Sequence, residues 1–168
     1  MPEAARTPWW RWLLLSAAVC ALDLATKAWA SATFRLGEVR EVTSFFNLVL
    51  WHNPGAAFSF LADAGGWQRW FFIVVTFLVV GMLLAMLRKQ PANRPLGLAV
   101  GLVIGGALGN LWDRVTLGYV VDFIQLHAGG YYWPAFNVAD SAITGGIILM
   151  LWDGFRPRPD GAPAAPNT

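Results

Sequence analysis

Four long apolar runs divide this chain, and most of its polar residues collect between them or at their ends. The runs extend from about Trp12 to Ala30, Trp70 to Leu87, Leu96 to Trp112 and Phe136 to Trp152. Each approaches the roughly 20 residues a helix needs to cross a hydrocarbon core, so the pattern predicts four transmembrane helices. Tryptophan marks their ends. Trp9, Trp10, Trp12 and Trp29 flank the first run, Trp67 and Trp70 open the second, Trp112 closes the third, and Trp133 and Trp152 bracket the fourth. Interfacial aromatic belts are built this way. Between the first two runs, Glu38 to Trp51 alternates and clusters Val, Phe, Leu and Trp as short strands do, and Asn53-Pro54-Gly55 supplies a turn. The stretch Leu117 to Trp133, broken by Gly129-Gly130, reads as a second external loop. The predicted fold class is an all-α membrane protein with a small β-containing external subdomain on the membrane surface.

Composition agrees with that reading. Hydrophobic residues make up 57% and charged residues 13% of the chain, with mean hydropathy +0.49, whereas a soluble domain carries about 25% charged residues. Lys and Arg set the expected orientation. Arg6 and Arg11 precede the first run, Arg88, Lys89 and Arg94 fill the short second-to-third connection, and Arg156 and Arg158 follow the fourth, which predicts that both termini are cytoplasmic. Residues 1–155 then form one domain with external segments at about 31–66 and 113–135. The Pro- and Ala-rich residues 156–168 read as a disordered tail. A net charge of +2 is too small and too scattered to argue for nucleic acid. The single Cys20 excludes an internal disulfide and a thiolate metal cluster, and it reads as packing.

A cleavable signal peptide competes for the N-terminus, given Arg6, Arg11, the apolar run to Leu22 and the small residues Ala28, Ala30 and Ala32. Asp23 and Lys27 interrupt that region, and its removal would leave an odd number of spans with the charge bias unsatisfied. A retained first span is therefore expected.

Against this apolar background two aspartates stand out. Asp122 lies among Val120, Val121, Phe123 and Ile124, and Asp140 stands near the head of the last run. An ionisable residue in a spanning segment costs roughly 2.5 to 3.5 kcal/mol at mid-bilayer and less near an interface, so it is kept mainly for chemistry or pairing. The predicted topology brings further polar groups to the same depth, the outer boundary: Asp23 and Lys27 four apart on one helix face, Asn110, Asp113 and Arg114 ending the third run, Asn137 opening the fourth, and Asn53 in the first external connection. Structural roles compete for several of these. Asp23 with Lys27 suits an ion pair, Asp113 and Arg114 a helix-terminus pair, and Asn137 an N-cap with Asp140 in the first turn. Asp122 has no such explanation. Gly97, Gly101, Gly105 and Gly109, with Gly106 beside them, make a small-residue stripe along which another helix packs closely.

Asp23-Leu24-Ala25-Thr26-Lys27, Asn53-Pro54-Gly55-Ala56-Ala57-Phe58-Ser59, Gly105-Gly106-Ala107-Leu108-Gly109-Asn110-Leu111-Trp112-Asp113-Arg114, Val121-Asp122-Phe123 and Phe136-Asn137-Val138-Ala139-Asp140 follow one another in this chain. Their order and spacing resemble bacterial lipoprotein signal peptidase (signal peptidase II), over nearly the whole chain except the tail. Leu24 is a departure, standing where that family often has a polar residue. The resemblance implies an aspartic endopeptidase, multi-pass in the bacterial cytoplasmic (inner) membrane, that removes signal peptides from prolipoproteins by cutting before a diacylglyceryl-modified cysteine. It implies Asp122 and Asp140 as the catalytic pair, near the outer leaflet. Asp23, Lys27, Asn53, Gly55, Asn110, Arg114 and Asn137 would be supporting or substrate-binding residues. The expected partners are those lipid-modified precursors and membrane lipid. A monomer without cofactor or metal is expected.

Other classes use similar residues. A proton-coupled transporter also carries intramembrane aspartates, but usually with more spans and internal repeats. A Mg²⁺-dependent enzyme acting on lipid-linked phosphate would employ the same Asp and Asn types. A purely structural four-span protein is the plainest alternative.

Overall fold

The computed structural model of the chain describes residues 8–55, 65–90 and 93–155. Among the described residues the elements run α1 (Arg11–Thr33), β1 (Val39–Thr43), β2 (Phe46–Asn53), α2 (Trp67–Lys89), α3 (Arg94–Thr116), β3 (Val120–Ala128), β4 (Tyr131–Tyr132) and α4 (Val138–Phe155). Three of the helices have 23 residues and α4 has 18. At about 1.5 Å per residue they are roughly 35 and 27 Å long, which matches a hydrocarbon core of about 30 Å. The four expected spans are present.

The third helix occupies the centre. Within its apolar window 72% of residues are buried, against 22%, 17% and 11% in α1, α2 and α4, and it packs against all three. Large side chains such as Leu14, Phe77, Leu78 and Ile148 point outward and exposed, as lipid-facing residues do. The glycine stripe explains the close approach to α1. A Cβ at Gly105 would stand 2.7 Å from both the Ser16 carbonyl oxygen and Val19 Cβ, too near for any side chain. Ser16 Oγ uses the proximity to donate to the Gly101 carbonyl at 2.9 Å. Gly106 faces Ala139 of α4 instead. Where α2 meets α3, Leu83, Leu87, Leu96, Val100, Val103 and Ile104 form a buried apolar cluster. At the basic end, Asn93 caps α3 by accepting from the Leu96 N–H at 3.0 Å, and its Nδ2 donates to Asp153 of α4 at 2.7 Å.

The strands form one antiparallel sheet in the order β1-β2-β3-β4. Ala30 and Phe34 of the α1 end, Leu50, Val121 and Phe123 form a second apolar cluster that fastens the sheet to the helices. The expectation of short strands from Glu38 to Trp51 is met by β1 and β2. The reading of Leu117 to Trp133 as a loop is corrected: it contains β3 and a hairpin to β4. Val120, Val121, Asp122 and Phe123 are all buried, because β3 has packing on both faces. A strand buried on both faces lacks the period-two alternation that reveals one in sequence. Gly129 and Gly130, with φ of 56° and 86°, make the tight turn between β3 and β4, where left-handed backbone favours glycine. The fourth span also begins later than the apolar run. Phe136 is extended and exchanges hydrogen bonds with Ile124 at 2.9 Å, so the helix starts at Val138. The tail 156–168 and the Ala56 to Ser59 part of the second motif lie outside the described residues.

Candidate active site

Asp122 is brought to the helix ends by β3. Across the sheet it faces Trp51 of β2, and the diagonal neighbour on the same face is Asn53, within reach of a side-chain bond. Asn53 Nδ2 donates to Asp122 Oδ2 at 3.0 Å, while Asn53 Oδ1 accepts the Gly55 N–H at 3.0 Å. Asp140 stands in the first turn of α4. Asn137 caps that helix by accepting the Asp140 N–H at 2.9 Å, and Asp140 Oδ2 accepts the Asn137 N–H at 3.2 Å, a reciprocal capping arrangement. The same asparagine reaches the other carboxyl group, its Nδ2 donating to Asp122 Oδ1 at 2.7 Å. Asn137 therefore holds both aspartates. The capping role and the site role of these residues are compatible, since they use different atoms.

Behind the pair lies a buried polar cluster that joins α1 to α3. The Lys27 ammonium is 2.8 Å from Asp23 Oδ2 and 3.0 Å from Asp113 Oδ2, and it donates to Asn110 Oδ1 at 2.8 Å. Each member has a second task. Asp23 Oδ1 accepts the Ala139 N–H at 2.8 Å, which anchors the start of α4. Asp113 Oδ2 accepts the Val121 N–H at 3.1 Å, which anchors β3 beside Asp122. Asn110 Nδ2 donates to Asp140 Oδ1 at 2.8 Å. Gly109 makes the cluster possible, because a Cβ there would collide with the Asp23 carboxylate.

In front of the pair a cavity of about 480 Å³ is lined by both aspartates, Asn53, Asn110 and Arg114, with an apolar wall that includes Trp133 and Phe136. Arg114 donates through Nη2 to the Gly55 carbonyl at 2.9 Å and through Nη1 to the Asn110 carbonyl at 3.3 Å. Its guanidinium lies over the Phe72 ring, 4.9 Å from the centroid. The expected Asp113 and Arg114 helix-terminus pair is thus corrected. Asp113 turns inward to Lys27, and Arg114 braces the turn after β2. Among the described residues no three of His, Cys, Asp and Glu gather as a metal-ligand set.

Burial pushes the Asp122 carboxyl up, and the neighbouring Asp140 adds to the effect; the amides of Asn53 and Asn137 and the more distant Lys27 oppose them, leaving it at about 7. Such a group can hold or release a proton under ordinary conditions.

Every expected site residue is found here. Asp122, Asp140, Asn53, Asn110 and Arg114 line the cavity; Asn137 links the carboxyl groups; Asp23 and Lys27 form the layer behind; Gly55 receives Arg114. Sequence reasoning assigned Asp113 only a helix-end role, although its position three residues after Asn110 puts both on one face of α3. Trp133 and Phe136 were legible only as the outer border of the fourth span, because the extended path that makes them a cavity wall is set by pairing of Phe136 with Ile124 of β3.

The family model for signal peptidase (SPase) II matches residues 15–156. The chain is 52% identical over 159 residues to the lipoprotein signal peptidase of Azoarcus sp. (strain BH72), covering 93% of this chain and 90% of that protein. It is 47% identical over 148 residues to the lipoprotein signal peptidase of Cellvibrio japonicus (strain Ueda107), covering 88% and 87%. Among solved structures, a bacterial membrane enzyme determined by the in meso method at 1.9 Å superposes with a TM-score of 0.80 and 31% identity, over 93% of this chain and all of that one.

Proposed function

The chain belongs to the signal peptidase II family, whose members are peptidases that remove signal peptides from prolipoproteins, and from that premise we propose that Asp122 and Asp140 are its catalytic pair, acting on diacylglyceryl-modified precursors. The observation that carries this reading is the sharing of Asn137 by two carboxyl groups that line one cavity. Two carboxyl groups placed so closely do not both ionise readily, and the pair holds one proton over a useful pH range. The ionised member accepts a proton from water as that water attacks the scissile carbonyl. The protonated member polarises the carbonyl and then supplies a proton to the leaving amine. Asn53 and Asn137 fix the Asp122 carboxyl at both oxygens, and Asn110 with the Asn137 N–H does the same for Asp140. Arg114 holds the Gly55 turn at the cavity wall.

The basic residues Arg11, Arg88, Lys89 and Arg94 cluster at the helix ends opposite the aspartates, which supports a cytoplasmic location for those ends and a site near the outer leaflet. There the acyl chains of the substrate stay in lipid while its peptide bond meets water. Purified protein should cleave a diacylglyceryl-modified precursor immediately before the modified cysteine, at the same rate in EDTA. Failure to cleave, or a rate lost in EDTA and restored by a divalent cation, would overturn the reading.

A further inference from the structure

We propose that Lys27 is a positioning residue for the catalytic pair, acting by fixing which way the Asn110 amide faces. The inference rests on the assignment of Asp122 and Asp140 made above. Three asparagines present Nδ2 to the carboxyl groups: Asn53 and Asn137 to Asp122, and Asn110 to Asp140. An asparagine amide has two nearly isosteric ends, and only the nitrogen is a donor. What decides the orientation is the partner at the oxygen. Asn53 Oδ1 faces the Gly55 N–H at 3.0 Å, Asn137 Oδ1 faces the Asp140 N–H at 2.9 Å, and Asn110 Oδ1 faces the Lys27 ammonium at 2.8 Å. Each partner can only donate. Each amide is therefore compelled to keep its nitrogen toward an aspartate. In the first two the donor is main chain, supplied by a turn and by a helix cap. In the third it is a side chain, and a substitution can remove it.

Lys27 is otherwise saturated. Its three donors meet Asp23, Asp113 and Asn110 at 2.8, 3.0 and 2.8 Å, and it is buried. Without it, the remaining donor to Asn110 Oδ1 is Asn137 Nδ2 at 3.4 Å, a long contact that competes poorly. The amide could then turn its oxygen to Asp140, disfavouring the ionised form. The charged groups around this point are Asp23 on α1, Asp113 and Arg114 on α3, Asp122 on β3 and Asp140 on α4. Loss of the cation alone would unbalance them, so the test must separate charge from orientation.

Lys27→Met combined with Asp113→Asn removes one cation and one carboxylate together and leaves the formal charge of the cluster unchanged. The new amide oxygen at 113 can still accept the Val121 N–H. In the full-length purified protein, with a diacylglyceryl-modified precursor as substrate, this double variant should lose at least about tenfold in kcat with KM within about threefold. The acid limb of its rate profile should move up by about one pH unit. Lys27→Arg, which keeps an obligate donor, should restore the limb to its wild-type position. A monodisperse double variant with wild-type kcat and limb overturns the proposal, as does Lys27→Arg with the limb displaced. If the double variant yields no monodisperse protein, Lys27→Met alone is read against Lys27→Arg: a limb displaced in the first and unmoved in the second supports the proposal, and a limb unmoved in both, or displaced in Lys27→Arg, overturns it. Asp122→Asn, measured alongside, tells the two readings apart. Activity in that variant removes the catalytic pair itself, whereas its inactivity beside a wild-type kcat and limb in the Lys27→Met, Asp113→Asn double variant removes only this proposal.

Discussion

Replacing Asp122 by Asn should make stability less dependent on pH, by an amount that follows from its surroundings. The carboxyl is buried beside Asp140, and its ionisation is displaced from 3.8 to about 7. At about 1.36 kcal/mol per pH unit that displacement corresponds to about 4 kcal/mol. The native state binds this proton more tightly than the unfolded chain does. The stabilisation is therefore fully present below about pH 4 and is lost as pH rises through about 7. Asparagine removes this slope but adds a penalty of its own. Both partners of Asp122, Asn53 Nδ2 and Asn137 Nδ2, are donors held in place at their oxygens, so one end of the new amide meets a donor with a donor. That mismatch costs about 1–3 kcal/mol at every pH. The informative quantity is thus the difference in stability between variant and wild type as a function of pH. It should shift toward the variant by about 4 kcal/mol from pH 4 to 8, or roughly 10 °C in Tm at 2–4 °C per kcal/mol for a chain of this size. Thermal unfolding in one detergent across that range measures it. A difference that stays constant with pH would refute the claim that burial and Asp140 hold the Asp122 proton.

Gly109→Ala should reduce turnover as well as stability, because its Cβ displaces the Asp23 carboxylate that anchors the start of α4. Overpacking alone costs about 1–3 kcal/mol. Gly105→Ala, which presses on Ser16 and Val19 away from the polar cluster, should lower Tm with a smaller effect on rate per folded molecule, and equal rate losses would show that the polar cluster is not special. In a Cys20→Ala background, Phe45→Cys and Ala128→Cys should react with an impermeant thiol reagent added outside intact cells, and Ala92→Cys should not. The opposite pattern would invert the orientation.

The spanning architecture was legible because a bilayer imposes one rule on all four helices, length and apolarity with aromatic ends, and Trp12 to Ala30 or Leu96 to Trp112 obey it openly. The glycine stripe foretold close packing on α3, and the structure adds that its partner along Gly97 to Gly109 is α1. β3 was hidden by its own burial. Val120, Val121 and Phe123 surround Asp122 without alternation, so nothing local distinguishes a doubly covered strand from a loop rich in apolar residues. The candidate site residues were recognisable as residue types, but their division into layers was not. That Asp113 belongs with Lys27 and not with its neighbour Arg114 depends on where α1 crosses α3, a tertiary fact. Asn137 and Asp140 illustrate the converse, since a cap read from local sequence is also part of the site.

The central claim is that Asp122 and Asp140 act together, and purified, monodisperse Asp122→Asn, Asp140→Asn and the double variant test it most directly against a diacylglyceryl-modified precursor. Each single substitution preserves shape while ending the shared-proton arrangement. Each should abolish turnover, and the double variant should be scarcely worse than either, because losses within one catalytic unit do not add. More than about a tenth of wild-type activity in either single variant, or a double variant whose loss is the product of two partial losses, would contradict the account.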